Sequence, residues 1–217
     1  MDTLITLKIA SEIEGNILQL LNANAANVVS NVSLDSPRAV GDAVQEFLAE
    51  HLMQCIPSEV LESFEKDFQR RSMEDMAFYD KNKNYYAVDV KTHNKGTLFN
   101  MPNLISVKRL ATFYKNDTNF FYILFVEYKI ENSGIHYLNC HFRPIEGFDW
   151  SCLTMGALGW GQIQIANSNN LQFCTPVRKN WMLRLCDVID QFYETEMGKI
   201  RERKTWFESI RNFWKKR

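Results

Sequence analysis

Two runs of aromatic and β-branched residues, separated by a short polar segment, make a β-hairpin the strongest local prediction in this chain. The runs span residues 76–79 and 85–91. The polar segment, residues 80–84, holds the Asp and Asn side chains that favour tight turns. A hairpin at this point requires a sheet that contains at least one antiparallel strand pair.

The register of this hairpin brings two carboxylates together. If Tyr79 faces Tyr85 across the turn, then Asp75, four residues earlier, faces Asp89, four residues later. Like charges directly across a strand pair repel each other and destabilise the sheet unless a positive group lies between them. The pairing therefore indicates a divalent cation at the open end of the hairpin.

Alternation along the second strand adds an amine to the two carboxylates. Val88 and Val90 share one face, while Ala87, Asp89 and Lys91 share the other. Oxygen ligands for Mg²⁺ and an ammonium that stabilises negative charge are the groups that metal-assisted phosphodiester hydrolysis needs. An amphipathic strand whose charges simply face solvent fits equally well, because Asp-x-Lys is a short motif.

The composition is that of a globular protein, and we expect one domain over residues 1–217. The 25 basic and 26 acidic residues nearly balance, so the overall charge does not favour a polyanionic partner. Residues 199–217 differ, because they carry eight basic and two acidic side chains. They also carry an apolar stripe, so we predict a basic C-terminal helix that can meet phosphates.

Cysteine usage and hydropathy bear on the compartment. The five widely spaced cysteines include no Cys-x-x-Cys pair, so neither a disulfide framework nor a zinc site is indicated and a reducing compartment fits best. The longest apolar run, residues 120–126, is far too short for a membrane span. We therefore expect no signal peptide and no membrane partner.

Periodicity predicts the other elements. Strands are expected at residues 120–130, 135–142 and 162–165. Apolar residues at helical spacing, some with a Ser or Thr cap before proline, predict helices over residues 3–21, from Ser36-Pro37 to about 52, over 57–71, from Pro102 to about 116, and from Thr175-Pro176 onward. The opening helix can serve as core or as a dimer surface. Glu46, on the second helix, can contact a metal cluster, although most helix acids are simply solvated.

Polar side chains cluster in the loop after Lys91 and around the predicted strand at residues 162–165. Gln162 and Gln164 share one face of that strand, and amides in such a row suit bidentate contact with base edges. A solvated loop and an ordinary polar strand face are the alternatives, and the pattern does not decide between them. The candidate DNA contacts are Thr92, Asn94, Thr97, Asn100, Met101, Asn103, Gln162, Gln164, Asn167 and Asn169.

These motifs resemble a known family. Asp75, Asp89 and Lys91 match the pattern of the PD-(D/E)XK nuclease superfamily, although Glu74 stands where the strict motif has proline. The longer stretch Tyr86-Ala-Val-Asp-Val-Lys-Thr-His-Asn94, continuing through Met101-Pro-Asn-Leu-Ile-Ser106, resembles type II restriction endonucleases, which cut palindromic DNA as homodimers. The Gln-Ile-Gln strand before a Thr-Pro helix start is similar to the same group, and the resemblance covers roughly residues 38–192.

The resemblance implies an α/β fold in which a mixed five-stranded, restriction-endonuclease-like sheet is flanked by helices. It implies Mg²⁺ held by Asp75, Asp89 and the carbonyl of Val90, with Lys91 near the attacking water. It further implies an auxiliary helix acid, for which Glu46 is the candidate. The loop after Lys91 and the strand at Gln162 would face double-stranded DNA, and the enzyme would be cytoplasmic and bacterial.

Two other functions remain open. A repair or junction nuclease of the same superfamily would read the shape of DNA rather than its sequence, whereas loops rich in amides favour base readout. A non-catalytic DNA-binding protein with a nuclease fold would not need Asp75, Asp89 and Lys91 together. The joint presence of these three residues favours an enzyme.

Overall fold

A computed structural model describes residues 3–30, 34–68, 72–132, 134–175 and 177–217. The helices are α1 (Leu7–Ala23), α2 (Ala25–Val28), α3 (Pro37–His51), α4 (Val107–Phe113) and α5 (Arg178–Lys215). The strands are β1 (Leu61–Glu65), β2 (Met76–Asp80), β3 (Tyr85–Asn94), β4 (Asn103–Ser106), β5 (Asn119–Glu131), β6 (Gly134–Pro144), β7 (Leu153–Gly156) and β8 (Gln162–Ile165). The predicted cap before Pro176 lies partly outside the described residues.

A mixed sheet forms the centre of the molecule, which confirms the α/β class. Among the described residues this sheet has five strands in the order β1-β2-β3-β5-β6. β3 and β5 run parallel, and the other neighbours run antiparallel. A parallel pair needs a crossover connection, which β4 and α4 provide. β5 is buried from Phe120 to Tyr128, so the long apolar run is a central strand covered on both faces.

The predicted hairpin is confirmed. β2 pairs with β3, and Tyr79 lies opposite Tyr85. The turn is closed by Asp80, whose Oδ1 accepts hydrogen bonds from the backbone N–H groups of Asn82 and Asn84, each at 2.9 Å. An aspartate side chain that accepts hydrogen bonds from backbone N–H groups a few residues later stabilises a turn. The polar segment therefore forms the turn between the two strands.

Two predicted helices are wrong in part. In residues 57–71, the segment Leu61–Glu65 is the strand β1, in which Phe64 lies opposite Phe78 of β2. After Pro102 the chain first forms β4, and the helix begins only at Val107. Both segments have apolar residues that fit either period, and pairing with a neighbouring strand decided between them.

The glutamine strand is confirmed as a strand, but it lies in a different sheet from the one predicted. In the described part of the chain, β4, β8 and β7 form a smaller antiparallel sheet of three strands. The fifth strand of the larger sheet is β1, which lies at its edge beside β2.

The larger sheet has a different cover on each face. Val88 and Val90 belong to the core shared with α1 and α3, while Ala87 belongs to the core shared with the smaller sheet, α4 and α5. The predicted alternation along β3 is therefore confirmed. Asp89 follows the direction of Ala87, and so it points toward the smaller sheet.

The opening helix takes one of its two expected roles, and the C-terminal helix is longer than expected. α1 buries Ala10, Ile13, Ile17 and Leu21 and packs along β6, so its apolar face belongs to the core rather than to a free dimer surface. The predicted basic C-terminal helix is the second half of α5, which is continuous over 38 residues. None of the helices in the described ranges combines the length and the apolar character needed to cross a membrane.

Candidate active site and nucleic-acid interface

Asp75 is held at the open end of the hairpin. β2 begins at Met76, so the backbone N–H of Val90 lies beyond the last strand pair and needs another acceptor. Asp75 Oδ2 fills this role at 2.7 Å. Its other oxygen, Oδ1, accepts a hydrogen bond from Nε2 of Gln45 on α3 at 2.9 Å. Both carboxylate oxygens are therefore fixed in direction.

Asp89 and Lys91 meet beside this carboxylate. The ammonium nitrogen of Lys91 lies 2.7 Å from both Oδ1 and Oδ2 of Asp89, and 3.3 Å from the carbonyl oxygen of Val90. Asp89 is buried and Lys91 is half-buried. The structure thus brings together the two carboxylates, the amine and the carbonyl that the sequence singled out.

The cluster is short of positive charge. Burial raises the pKa of Asp89 to about 7, and the charge of Asp75 raises this pKa further while the Lys91 ammonium opposes both effects. Burial also raises the pKa of Asp75, against the hydrogen bond from Val90 and the attraction of Lys91. A second positive charge between these carboxylates would favour their ionised forms.

The donor set fits a hard cation that keeps part of its water shell. Asp89 Oδ2 is buried and makes an ion pair but no directed hydrogen bond within the part of the chain described. Across the described ranges, no cluster of three or more His, Cys, Asp or Glu side chains is placed to hold a metal ion. Asp75, Asp89 and the Val90 carbonyl therefore offer a partial shell, which is what Mg²⁺ takes when water and phosphate supply the other ligands.

The helix residue at the site is Gln45 and not the predicted Glu46. α3 approaches β3 closely at Gly41, where an added Cβ would lie 3.0 Å from Oγ1 of Thr92. Gln45 follows Gly41 by one turn and shares its face, so it reaches Asp75. Glu46 is rotated by about 100° around the helix axis and is exposed.

A cleft of about 370 Å³ opens beside Asp89. Its walls include Gln162 of β8 and two residues that no sequence motif indicated, Arg109 and Trp160. The ammonium of Lys108 lies 4.7 Å from the centre of the Trp160 ring. Cationic and aromatic side chains next to the Asp89 carboxylate suit a nucleotide strand, because they can contact phosphate and base. The apolar periodicity of α4 indicated its buried face, but it did not indicate that Arg109 lines a cleft.

Two of the predicted base contacts lie opposite each other on the smaller sheet. Asn103 pairs with Gln164 in the register of β4 and β8, and Gln164 Nε2 donates to Asn103 Oδ1 at 2.6 Å. Asn103 is exposed, and Gln162 lies on the same face of β8 as Gln164. These amides therefore form a polar strip that continues the wall of the cleft.

Another predicted contact, Asn169, is engaged inside the protein. Its Nδ2 donates to the carbonyls of Thr97 and Leu98 at 2.9 and 3.2 Å, and its Oδ1 lies 2.9 Å from Nε2 of the buried His93. The carbonyl of Asn100 accepts from the backbone N–H of Ser168 at 2.8 Å. The loop after β3 is therefore anchored to the segment after β8.

The other predicted DNA contacts are also placed. Thr92 lies against α3 at Gly41. Asn94 Oδ1 accepts from the backbone N–H of Gly96 at 2.9 Å, and Asn167 Oδ1 accepts from that of Asn169 at 3.0 Å, so both close turns. Met101 is exposed.

The scan against protein-family models returned no match for this chain, and neither did the search of the curated proteins.

Proposed function

We propose that this protein is a type II restriction endonuclease, which cuts both strands of DNA at a specific palindromic site with Mg²⁺ as its cofactor. The observation that carries the proposal is the meeting of Asp75, Asp89 and Lys91 at the end of the β2-β3 hairpin. The mixed sheet, with β3 parallel to β5, supports a restriction-endonuclease-like fold. The cleft beside Asp89 supports a substrate that enters between the two sheets.

The side chains of the cluster divide the work of phosphodiester hydrolysis. Asp75, Asp89 and the Val90 carbonyl would hold Mg²⁺, which when bound polarises the phosphate and lowers the pKa of the attacking water. Lys91 attracts the phosphate and stabilises the negative charge that develops on its oxygens. Gln45 and the Val90 N–H keep the Asp75 carboxylate in one orientation, so that it is ready before substrate binds.

The neighbouring surfaces would hold and read the duplex. Arg109 lines the cleft and Lys108 lies over the ring of Trp160 in its wall. Both can contact phosphates, which position the DNA without reading its sequence. Gln162, Gln164 and Asn103 offer the donors and acceptors that suit base edges in the major groove. This division favours sequence readout over recognition of DNA shape.

The protein would act as a homodimer in the bacterial cytoplasm. A palindromic duplex has two-fold symmetry, and one chain carries one copy of the cluster for two strands that must both be cut. Five cysteines without a disulfide in the described residues agree with a reducing compartment.

Cleavage of plasmid DNA with Mg²⁺, compared with the same reaction in EDTA, tests the proposal. We expect discrete fragments from the wild type and none from Asp89→Ala, Lys91→Ala or Asp75→Asn, while each variant still binds the cognate duplex. Exposed residues supply matched controls, and Asp42→Ala and Lys81→Ala should cut like the wild type.

Each outcome has a distinct meaning. A smear or a nicked product would replace the proposal with a structure-specific nuclease, and binding without any cleavage would replace it with a DNA-binding module. Cleavage by Lys91→Ala or Asp89→Ala within about tenfold of the wild-type rate would show that the cluster is not the active site.

A further inference from the structure

The second half of α5 extends away from the rest of the protein. The first half is anchored, because Trp181 Nε1 donates to the carbonyl of Phe148 at 3.0 Å and the Tyr193 hydroxyl donates to that of Trp160 at 2.6 Å. Beyond Tyr193, in the part of the chain described, side-chain hydrogen bonds and ion pairs join residues of the same helix. This segment is about 33 Å long, from Tyr193 to Lys215.

An apolar seam runs along the extending segment. Tyr193, Ile200, Phe207 and Trp214 recur at intervals of seven residues, and their exposed fractions are 36%, 50%, 64% and 67%. We call these four residues the α5 seam. A position that recurs every seven residues stays on the side facing one partner helix in a left-handed supercoil. This one position of the heptad is apolar throughout, while the position three residues later holds Glu196, Arg203 and Ile210. The seam therefore fits another helix.

The charges on α5 indicate which partner helix fits the α5 seam. Residues 187–196 carry four acidic and no basic side chains, and residues 199–217 carry eight basic and two acidic ones. A parallel copy of α5 would set the basic segments side by side, which is repulsive. An antiparallel copy sets the acidic segment of each chain beside the basic segment of the other. The helix is thus complementary to its own reverse.

We infer that two copies of this chain associate through antiparallel pairing of their α5 seams. Centred between Arg203 and Lys204, the pairing sets Tyr193 level with Trp214 of the second copy and Ile200 level with Phe207. The arrangement is two-fold symmetric and closed, as expected for a dimer interface. The same register sets Glu196 level with Arg211 of the second copy.

Two like charges lie level with each other at the centre of this pairing, and they provide a test of its antiparallel direction. Arg203 lies level with Lys204 of the second copy, so two positive charges meet on each side of the axis. Replacing Arg203 with an acid turns this repulsion into attraction in the antiparallel arrangement. In a parallel arrangement residue 203 would lie level with itself, and the same change would only exchange one like-charge pair for another.

The inference rests on the proposed function only in that the α5 pairing would be the dimer interface of the proposed nuclease. The pairing itself can be tested without nuclease activity. Sedimentation equilibrium of the full chain without DNA or Mg²⁺ measures association alone, while plasmid cleavage measures the enzyme. If the wild type is a dimer but does not cut DNA, the nuclease function is rejected and the pairing stands. If it cuts DNA but is a monomer without DNA, the pairing is rejected and the nuclease function stands.

Four variants test the pairing across a micromolar concentration range. Ile200→Asp and Phe207→Asp, which remove seam anchors, should each raise the dimer Kd by about tenfold or more. Thr205→Asp is the matched control, because it adds the same charge to the same turn on the opposite face, and it should leave the Kd unchanged. Arg203→Glu should lower the Kd by about three- to tenfold, since it creates two symmetry-related ion pairs.

Folding is checked by thermal melting at a concentration well below the dimer Kd, where association does not contribute to Tm. All four variants should then melt close to the wild type, because the side-chain bonds of this segment lie within α5. A wild type that stays monomeric would overturn the pairing. If that monomer sediments with vesicles of phosphatidylglycerol and phosphatidylcholine, the seam is a lipid-facing surface instead. A dimer that Ile200→Asp and Phe207→Asp leave intact, or that Arg203→Glu weakens, would overturn the interface or its direction.

Discussion

The buried carboxylate of Asp89 should make the fold less stable as pH rises when no divalent cation is present. The ordinary pKa of an aspartate here is 3.8, and in the folded protein burial and the nearby Asp75 raise the pKa to about 7. Between these values the folded protein keeps the proton and the unfolded chain has lost it. The unfolded chain therefore binds fewer protons, and the free energy of unfolding falls as pH rises through this window.

The size of the effect follows from the same pKa. A rise from 3.8 to about 7 corresponds to at most about 4 kcal/mol, because each pH unit is worth about 1.4 kcal/mol. Lys91 and water that enters the site relax a buried charge, so we expect about 1 to 2 kcal/mol. For a chain of this size, that loss lowers Tm by about 2 to 8 °C.

Thermal melting of the wild type and of Asp89→Asn in EDTA, at about pH 5 and about pH 8, measures this loss. The wild type should lose more stability than the variant between the two pH values, because the amide that replaces the carboxyl group has no proton to lose. Mg²⁺ at the higher pH should restore much of the wild-type stability and little of the variant's. Equal pH dependence in the two proteins would refute the argument, because the variant lacks only the Asp89 carboxyl group.

Two further predictions concern residues around the site. Gln45→Ala should reduce the cleavage rate by about tenfold, because Asp75 loses a hydrogen bond that orients it, whereas Glu46→Ala should cut like the wild type. The reverse ranking in single-turnover assays would restore Glu46 as the helix residue of the site. Asn103→Ala and Gln164→Ala should each reduce discrimination between cognate and single-mismatch duplexes by about 1 to 3 kcal/mol, and Lys108→Ala, which removes a proposed phosphate contact, should weaken binding to both alike. Unchanged preference for the cognate duplex in both amide variants would show that other residues read the DNA sequence.

The hairpin and the cluster could be predicted because both depend on local rules. Alternation fixes the face of each side chain on β3, and the turn fixes the register, so Asp89 and Lys91 were placed together and Asp75 across from them. The helix contact could not be predicted in the same way. Whether Gln45 or Glu46 reaches Asp75 depends on how α3 rotates against β3, and the close contact at Gly41 decides this.

The membership of the two sheets was also beyond local reasoning. β1 and β4 are short, and their apolar spacing fits a helix as well as a strand. β1 is a strand because the edge of β2 offers hydrogen bonds, and β4 is a strand because β8 lies beside it. Such non-local pairing leaves no local pattern in a single sequence.

The amides predicted as base contacts show that one residue type can serve two purposes. Each amide has two donors and one acceptor oxygen. Asn169 engages both kinds of group with Thr97, Leu98 and His93, so it holds the loop and retains little capacity for a base. Asn103 and Gln164 join through one acceptor and one donor, which leaves a donor on Asn103 and an acceptor on Gln164. A donor beside an acceptor is the complement of the adenine edge, and here two side chains supply it jointly. The two substitutions should therefore be strongly non-additive, and the double variant should discriminate no worse than either single one.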